Sequence, residues 1–307
     1  MIKVWKKIYI KSLRIFLNKT MAVIGSYKKK IKSAKNIAKI TKAMQLVAAS
    51  KMKKAQASAL SGKEYADGVY SLSTLISKYF DEETNKLAKK VDVHGHQLIV
   101  LIAPEKGLCG GLVTNLAKFV LKAIDAEKNS DFLVIGKKAK QIARRFGANV
   151  VADFDIGVSS PKYELVPPIA RIIENRFISG ANKSVKVIYS EFINTMEQSP
   201  KSKMLLPLVI DNEAGVNDEH EDQSDYKFEP SIDSIANPLF EMYLETEIYQ
   251  LLLESYASEQ SARMVAMKNA TDNANGLISE LTVEFNKVRQ SAITNELLDI
   301  QNAVSII

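Results

Sequence analysis

Few residues in this chain have the types and spacing to do chemistry. Gly107, Gly110 and Gly111 follow an apolar run at 97–103 and precede a helix-like segment, which is the setting of a phosphate-binding loop. Their order matches neither Gly-x-Gly-x-x-Gly nor Gly-x-x-x-x-Gly-Lys-Ser/Thr, so the spacing predicts a tight strand-to-helix turn with glycines where a Cβ would clash. His94 and His96 flank Gly95, and the other histidine is His220; without clustered Cys or carboxylates they make a poor metal set. Cys109, the single cysteine, cannot close an intramolecular disulfide, has no His or base beside it in sequence, and reads as a buried turn thiol. No catalytic residue, cofactor or metal ligand is expected.

The elements that must position these residues differ sharply along the chain. From Leu239 onward there is no proline and only one glycine, Gly276. Apolar or small residues return every three or four positions: Leu239, Met242, Thr246, Tyr249, Leu253, Tyr256 and Gln260, then Met267, Thr271, Ala274, Ile278, Leu281, Phe285, Val288 and Ala292. That is the seam of a helix made to lie along another, on the order of 100 Å long at about 1.5 Å per residue. A matching seam runs through Ile24, Tyr27, Ile31, Ala34, Ala38, Thr41, Gln45, Ala48, Met52, Ala55 and Ala59. Two proline-free rods at opposite ends of one chain most simply pair as an antiparallel coiled coil with the rest inserted between them.

Between the rods, short strand-like runs at 97–103, 131–136, 149–154, 184–190 and 204–210 alternate with amphipathic segments. One of these helices should begin after the Pro167-Pro168 breaker, and Pro238 should stand at the start of the second rod. The fold class expected is α/β plus coiled coil: long antiparallel N- and C-terminal helices with an inserted Rossmann-like α/β domain of mainly parallel sheet. The expected divisions are a basic extension at 1–20, a first coiled-coil helix at 21–80, the α/β insertion at 81–230, and a second coiled-coil helix at 231–307. The acidic, hydrophilic 211–229 stretch is expected to be a solvated loop or irregular hairpin.

Charge sorts the possible partners. The net +7 conceals a polarity: residues 1–63 carry seventeen Lys and Arg and no acid, and the remainder carries 25 bases against 35 acids. A basic rod suits nucleic acid, an anionic lipid surface or an acidic protein. Its lysines are spread around the helix and Tyr27 is the one aromatic among the first forty residues from Met21, which argues against nucleic acid. No run of eighteen apolar residues occurs, so membrane contact is expected only through a partner. Residues 1–20 remain open between a transit peptide, a lipid-facing arm and an extension ahead of Met21.

Several stretches carry a specific likeness. Ile31-Lys-Ser-Ala-Lys-Asn-Ile-Ala-Lys-Ile-Thr-Lys-Ala-Met-Gln-Leu-Val-Ala-Ala-Ser-Lys-Met-Lys-Lys-Ala-Gln56, Gly107-Leu-Cys-Gly-Gly111, Glu229-Pro-Ser231, Leu252-Leu-Glu-Ser-Tyr-Ala-Ser-Glu259 and Ala262-Arg-Met-Val-Ala-Met-Lys-Asn-Ala-Thr-Asp-Asn-Ala274 stand in order, followed by Arg289-Gln-Ser-Ala-Ile-Thr-Asn-Glu-Leu-Leu-Asp299. The set resembles the gamma subunit of F-type rotary ATP synthases of bacterial type, from Met21 to the end. The chain departs from that pattern at Lys30, Pro104-Glu105 and Asn302-Ala303.

The resemblance implies a non-catalytic shaft. Its terminal helices would sit inside a ring of three alpha and three beta subunits, and its α/β insertion would rest on the epsilon subunit and the membrane-embedded c-ring. Ion flow through the c-ring would turn the shaft and drive ATP synthesis at the beta subunits. The positions matching the family's rotor–stator contacts are Lys42 and Met44 on the first rod and Arg289, Gln290, Thr294 and Glu296 on the second. No cofactor is implied. The bacterial likeness places such a complex at the cytoplasmic face of the inner membrane, with the matrix side of a mitochondrial inner membrane as the alternative. The competing expectation is a nucleotide-binding α/β enzyme with helical arms.

Overall fold

The computed structural model of the chain describes residues 2–77, 87, 96–126, 130–157, 159–207 and 228–304. The 211–229 loop expectation, His94, His220 and Ile306-Ile307 therefore lie wholly or largely outside the described residues, as do the side chains of residues 2–22 and of Asn302. Two compact units are present: residues 1–46 with 267–307, and residues 47–266. Helix α1 (Ile2–Ser77) and helix α5 (Ile232–Val304) each contribute to both.

The first unit is an antiparallel helix pair. Thr41 meets Thr271 and Lys28 meets Phe285, so thirteen residues back along α1 correspond to fourteen forward along α5. Ala34, Ala38, Thr41, Met267, Thr271 and Ala274 are buried between the two helices, and the remaining predicted seam positions of this unit that are described are at least half-buried. The three-and-four spacing of small residues thus produces the close seam it predicts.

The second unit is built on a sheet of order β3-β2-β1-β4-β5. Strands β1 (His96–Ile102), β2 (Ser130–Ile135), β3 (Asn149–Phe154) and β4 (Asn182–Phe192) run parallel, and β5 (Gln198–Leu206) is antiparallel to β4. Both faces are covered. Leu98, Val100 and Ile102 of β1 join a core with α4 (Val166–Ile178), α1 and α5, while Ile99 and Leu101 join one with α2 (Leu112–Ala126) and α3 (Lys137–Arg145). Alternate residues of one strand therefore serve opposite layers, which is why the run reads as continuously apolar. Here too α1 and α5 are antiparallel: Ala55 packs on Tyr256 and Ala257, and Tyr70 on Tyr243.

Three local expectations are corrected. The last strand starts at Gln198 rather than Met204, because β5 is an edge strand whose residues 201–204 are exposed, leaving no apolar signal; Pro200 is tolerated there since an edge residue need not donate to a neighbour. Helix α4 includes Pro167 and Pro168 in its first turn, where their missing N–H groups cost nothing. Pro238 lies inside α5 rather than at its start. Ser231 Oγ accepts from Ser234 N–H at 3.4 Å and opens the helix at Ile232, nearly two turns before Pro238, and burial of Ala236 and Phe240 holds this segment against the core.

Candidate functional site

The six sequence-predicted contact residues all fall in the first unit, at two levels. Lys42 is exposed with its Nζ donating to Gln45 Oε1 at 3.2 Å, and Met44 is half-buried. The register that pairs Thr41 with Thr271 puts these two beside the 270 region of α5, not beside Arg289. At about 1.5 Å per residue the levels are separated by roughly 27 Å. The structure thus does not bring the α1 pair together with the α5 set.

At the second level Arg289, Gln290, Thr294 and Glu296 are exposed on α5. The Arg289 guanidinium lies 5.9 Å from the centre of the Phe285 ring, and Lys28 Nζ of α1 lies 6.0 Å from the same ring. Both cations are held at the rim of the seam by the negative ring face. Interleaved with the polar residues are Ile293, Leu297, Leu298 and Ile300, with Leu297 62% exposed. Sequence reasoning singled out the polar members and missed these. Their signal was present: after Ala292 apolar residues no longer keep to one stripe, so some must face outward. Ile37, Ile40 and Leu46 of α1 are likewise exposed.

The glycine turn in the second unit is fixed from α5. Arg263 donates from Nη1 to Glu259 Oε1 at 2.6 Å and from Nη2 to the carbonyls of Lys106 and Gly107 at 3.1 and 3.2 Å. Burial pushes the Glu259 carboxyl above its ordinary range, and the Arg263 guanidinium opposes that rise. Cys109 is buried against Leu112 and Ala262, as expected of a turn thiol, and burial raises its pKa. A nucleophile needs the thiolate, so this environment disfavours reactivity.

The reason given for the turn's glycines needs correction. A Cβ at Gly107 would meet nothing within 4 Å, and at Gly111 only the Asn115 amide at 3.8 Å. Gly110 is required by its backbone, φ +59°, and not by crowding. The steric demand sits at Gly136, φ +94°, where a Cβ would stand 2.1 Å from the Ala103 carbonyl oxygen. Gly136 N–H donates to Phe154 O and Ala103 N–H to Ile135 O, so this glycine lies where three strand ends converge.

A second polar cluster closes the opposite end of the sheet. Asp131 accepts from Arg176 Nη2 at 2.5 Å, Asn149 Nδ2 at 2.8 Å and Asn182 Nδ2 at 3.2 Å. Burial pushes this carboxyl up, but the two amides and the guanidinium prevail and hold it below its ordinary value. His96, which opens β1, is exposed, and among the described residues no three His, Cys, Asp or Glu stand close enough to hold a metal.

A pair of long antiparallel helices, with a sheet of order 3-2-1-4-5 between them in sequence, is a narrow architectural description. The family model described as ATP synthase matches residues 24–305. An ATP synthase gamma chain of Dehalococcoides mccartyi is 40% identical over 91% of this chain and 97% of its own length. The chain belongs to the ATP synthase gamma-chain family. A gamma chain of Janthinobacterium is also 40% identical, over 88% of this chain and 94% of its own length, and one from Legionella pneumophila is 36% identical over 91% and 98%.

Two solved structures extend the family likeness to the fold. The central stalk and c-ring structure of the Tetrahymena thermophila mitochondrial ATP synthase holds a chain 26% identical, with TM-score 0.55, aligned over 75% of this chain and 99% of its own. A chain of the Euglena gracilis mitochondrial ATP synthase is 17% identical with TM-score 0.63, aligned over 93% and 94%. Of the positions that depart from the family pattern, two make contacts beside the glycine turn. Pro104 O caps α3 by accepting from Lys138 N–H at 3.0 Å, and Glu105 Oε1 accepts from Ile156 N–H at 2.9 Å. No described helix is long and apolar enough to cross a membrane.

Proposed function

We propose that this chain is the central rotor shaft of an ATP synthase catalytic sector, turned by ion flow through a c-ring and forcing the beta subunits through their catalytic states. Its partners in that role are three alpha and three beta subunits, an epsilon subunit and the c-ring. The bonds made and broken in ATP synthesis belong to those partners, and this chain supplies displacement only. The bacterial sources of its relatives favour the cytoplasmic face of an inner membrane, with contact to the bilayer through the complex.

The observation that carries the reading is the α5 segment from Arg289 to Ile300, where exposed apolar side chains alternate with exposed polar ones on a helix whose own seam is already filled. Such a surface suits many shifting protein contacts. Within that reading Lys42, Met44, Arg289, Gln290, Thr294 and Glu296 touch the surrounding ring at two heights.

Co-purification from the native membrane tests the proposal. One copy of the chain should emerge with three copies each of two larger subunits, and a bead attached to its α/β unit should rotate on ATP hydrolysis. Recovery of a stable chain that ignores those subunits overturns the reading.

A further inference from the structure

The edge hairpin of the sheet meets α5 partly through charged side chains. Strands β4 and β5 pair with Tyr189 opposite Lys201 and Val187 opposite Lys203, so Val187, Tyr189, Glu191, Lys201 and Lys203 share one face. Val187 and Tyr189 belong to the core that includes α5, which turns this face toward that helix. Glu247 and Glu254 of α5 meet it there.

The charges in this layer do not balance. Lys201 pairs with Glu191, and Lys203 with Glu247 at 2.5 Å. Glu254 is the third carboxylate, half-buried, and it accepts one hydrogen bond, from Phe192 N–H at 3.3 Å. Glu191, Glu247 and Glu254 all lie near enough to Tyr189 to add to the rise that burial gives its phenol, so that group stays neutral and supplies no cation. For Glu254 itself burial raises the pKa and Glu191 adds to the rise, while the Phe192 N–H, Lys201 and Lys203 oppose it.

The bond that Glu254 makes is structural. Phe192 ends β4, and the turn that follows carries Ile193 and Met196, 50% and 77% exposed. A second tie holds the same turn, from Ser261 Oγ to Thr195 O at 2.8 Å, and it has no titratable group.

We propose that Glu254 is a proton-operated catch between α5 and the β4–β5 hairpin, closed when the carboxyl is neutral and released when it ionises and draws water to itself. The closed form holds the proton more tightly than an open form in which Glu254 meets water. Closure is therefore fullest below the ordinary 4.5 and weakens as pH rises through the closed-form value. Opening increases about tenfold for each unit separating the two values. The catch lies within the α/β unit and does not depend on the rotor reading.

Hydrogen exchange on the purified full-length chain between pH 4.5 and 8, corrected for the intrinsic pH dependence of amide exchange, is the test. Exchange at Phe192 and the 193–197 turn should rise about threefold or more with pH, while the central β1 amides stay unchanged. Glu254→Gln should abolish the rise. Glu247→Gln frees Lys203 to serve Glu254 and should shrink it. Ser261→Ala should speed exchange of the turn at every pH and leave the rise in place, which separates a titrating catch from a merely structural tie. A flat profile in the parent chain overturns the proposal, as does a rise that survives Glu254→Gln. An equal rise in β1 overturns it too, because the change would then be global, and an unaltered rise in Glu247→Gln overturns the charge imbalance on which the catch rests.

Discussion

Thr41 Oγ1 and Thr271 Oγ1 lie 2.7 Å apart across the seam of the helix pair, in a site where the two residues are 9% and 8% exposed. Each hydroxyl also reaches a carbonyl on its own helix, Ile37 O at 3.0 Å and Met267 O at 2.8 Å. Two protons thus serve one bond between helices and one within a helix. Replacing one threonine by valine keeps the shape and removes the link, at about 1 kcal/mol. Replacing both should cost less than the two single losses added together. A double-mutant cycle by urea denaturation measures this, and strict additivity would show that the hydroxyls are not coupled.

Arg263 holds a buried carboxylate and two turn carbonyls at once. With side-chain exposures of 12% and 13%, the Arg263–Glu259 pair is screened little by water. Arg263→Ala should therefore destabilise the α/β unit by about 3 kcal/mol, mostly by stranding Glu259. Arg263→Ala with Glu259→Gln should recover part of that loss. Thermal melting of the three variants decides it, and no recovery in the double variant would assign the loss to the freed turn carbonyls instead.

How much of this was legible beforehand depended on whether a residue's role is periodic. The seams through Ala34 and Ala38, and through Thr271 and Ala274, were readable because burial on a helix repeats every three or four residues. Strand β1 was readable because burial on both faces leaves an unbroken apolar run. The start of β5 was hidden because an exposed edge strand has no such pattern. Gly136 was passed over in favour of Gly107 and Gly111, since crowding by the Ala103 carbonyl arises from strands distant in sequence. Arg263 lies within the Ala262–Ala274 stretch, but its grip on the glycine turn spans more than 150 residues and leaves no local mark.

Three glycine substitutions should separate space from backbone conformation. Gly136→Ala drives a Cβ to 2.1 Å from a carbonyl oxygen at φ +94° and should cost about 3 kcal/mol or more. Gly110→Ala meets only Ala266 Cβ at 3.7 Å, so it should cost about 1–2 kcal/mol, from its left-handed φ alone. Gly107→Ala meets nothing and should be close to neutral. Chemical denaturation ranks them, and a costly Gly107→Ala would refute the steric assignment.

Glu254 provides a pH signature. Burial raises its pKa despite the Phe192 N–H that donates to Oε1 at 3.3 Å, and Glu191 adds to the rise. A folded-state value above the ordinary 4.5 means the native protein holds this proton more tightly than the unfolded chain does. The resulting stabilisation is full below 4.5 and fades as pH rises through the folded value. Glu254→Gln keeps the acceptor for Phe192 without the buried charge. Its melting temperature should exceed the parent's at pH 7 and match it near pH 4. A variant that loses stability at pH 7 and not near pH 4 would show that the carboxylate is needed as an anion.

Magnitudes decide how the Arg289–Ile300 surface works in the proposed rotor. Driving a beta subunit from 1:99 to 99:1 between two states takes about 5.5 kcal/mol of differential interaction. An exposed ion pair supplies roughly 0–1 kcal/mol. Glu296 is exposed, so its charge cannot carry the coupling by itself. Glu296→Ala should slow ATP turnover by no more than about fivefold and leave rotation intact. Leu297 and Leu298, 62% and 51% exposed, offer apolar area that a surrounding subunit would cover. Changing both to Ala should reduce torque more than Glu296→Ala does, because coupling is then spread over steric contacts. Single-molecule rotation of the assembled complex compares the two, and complete loss of torque in Glu296→Ala with assembly intact would show that one polar contact carries the coupling after all.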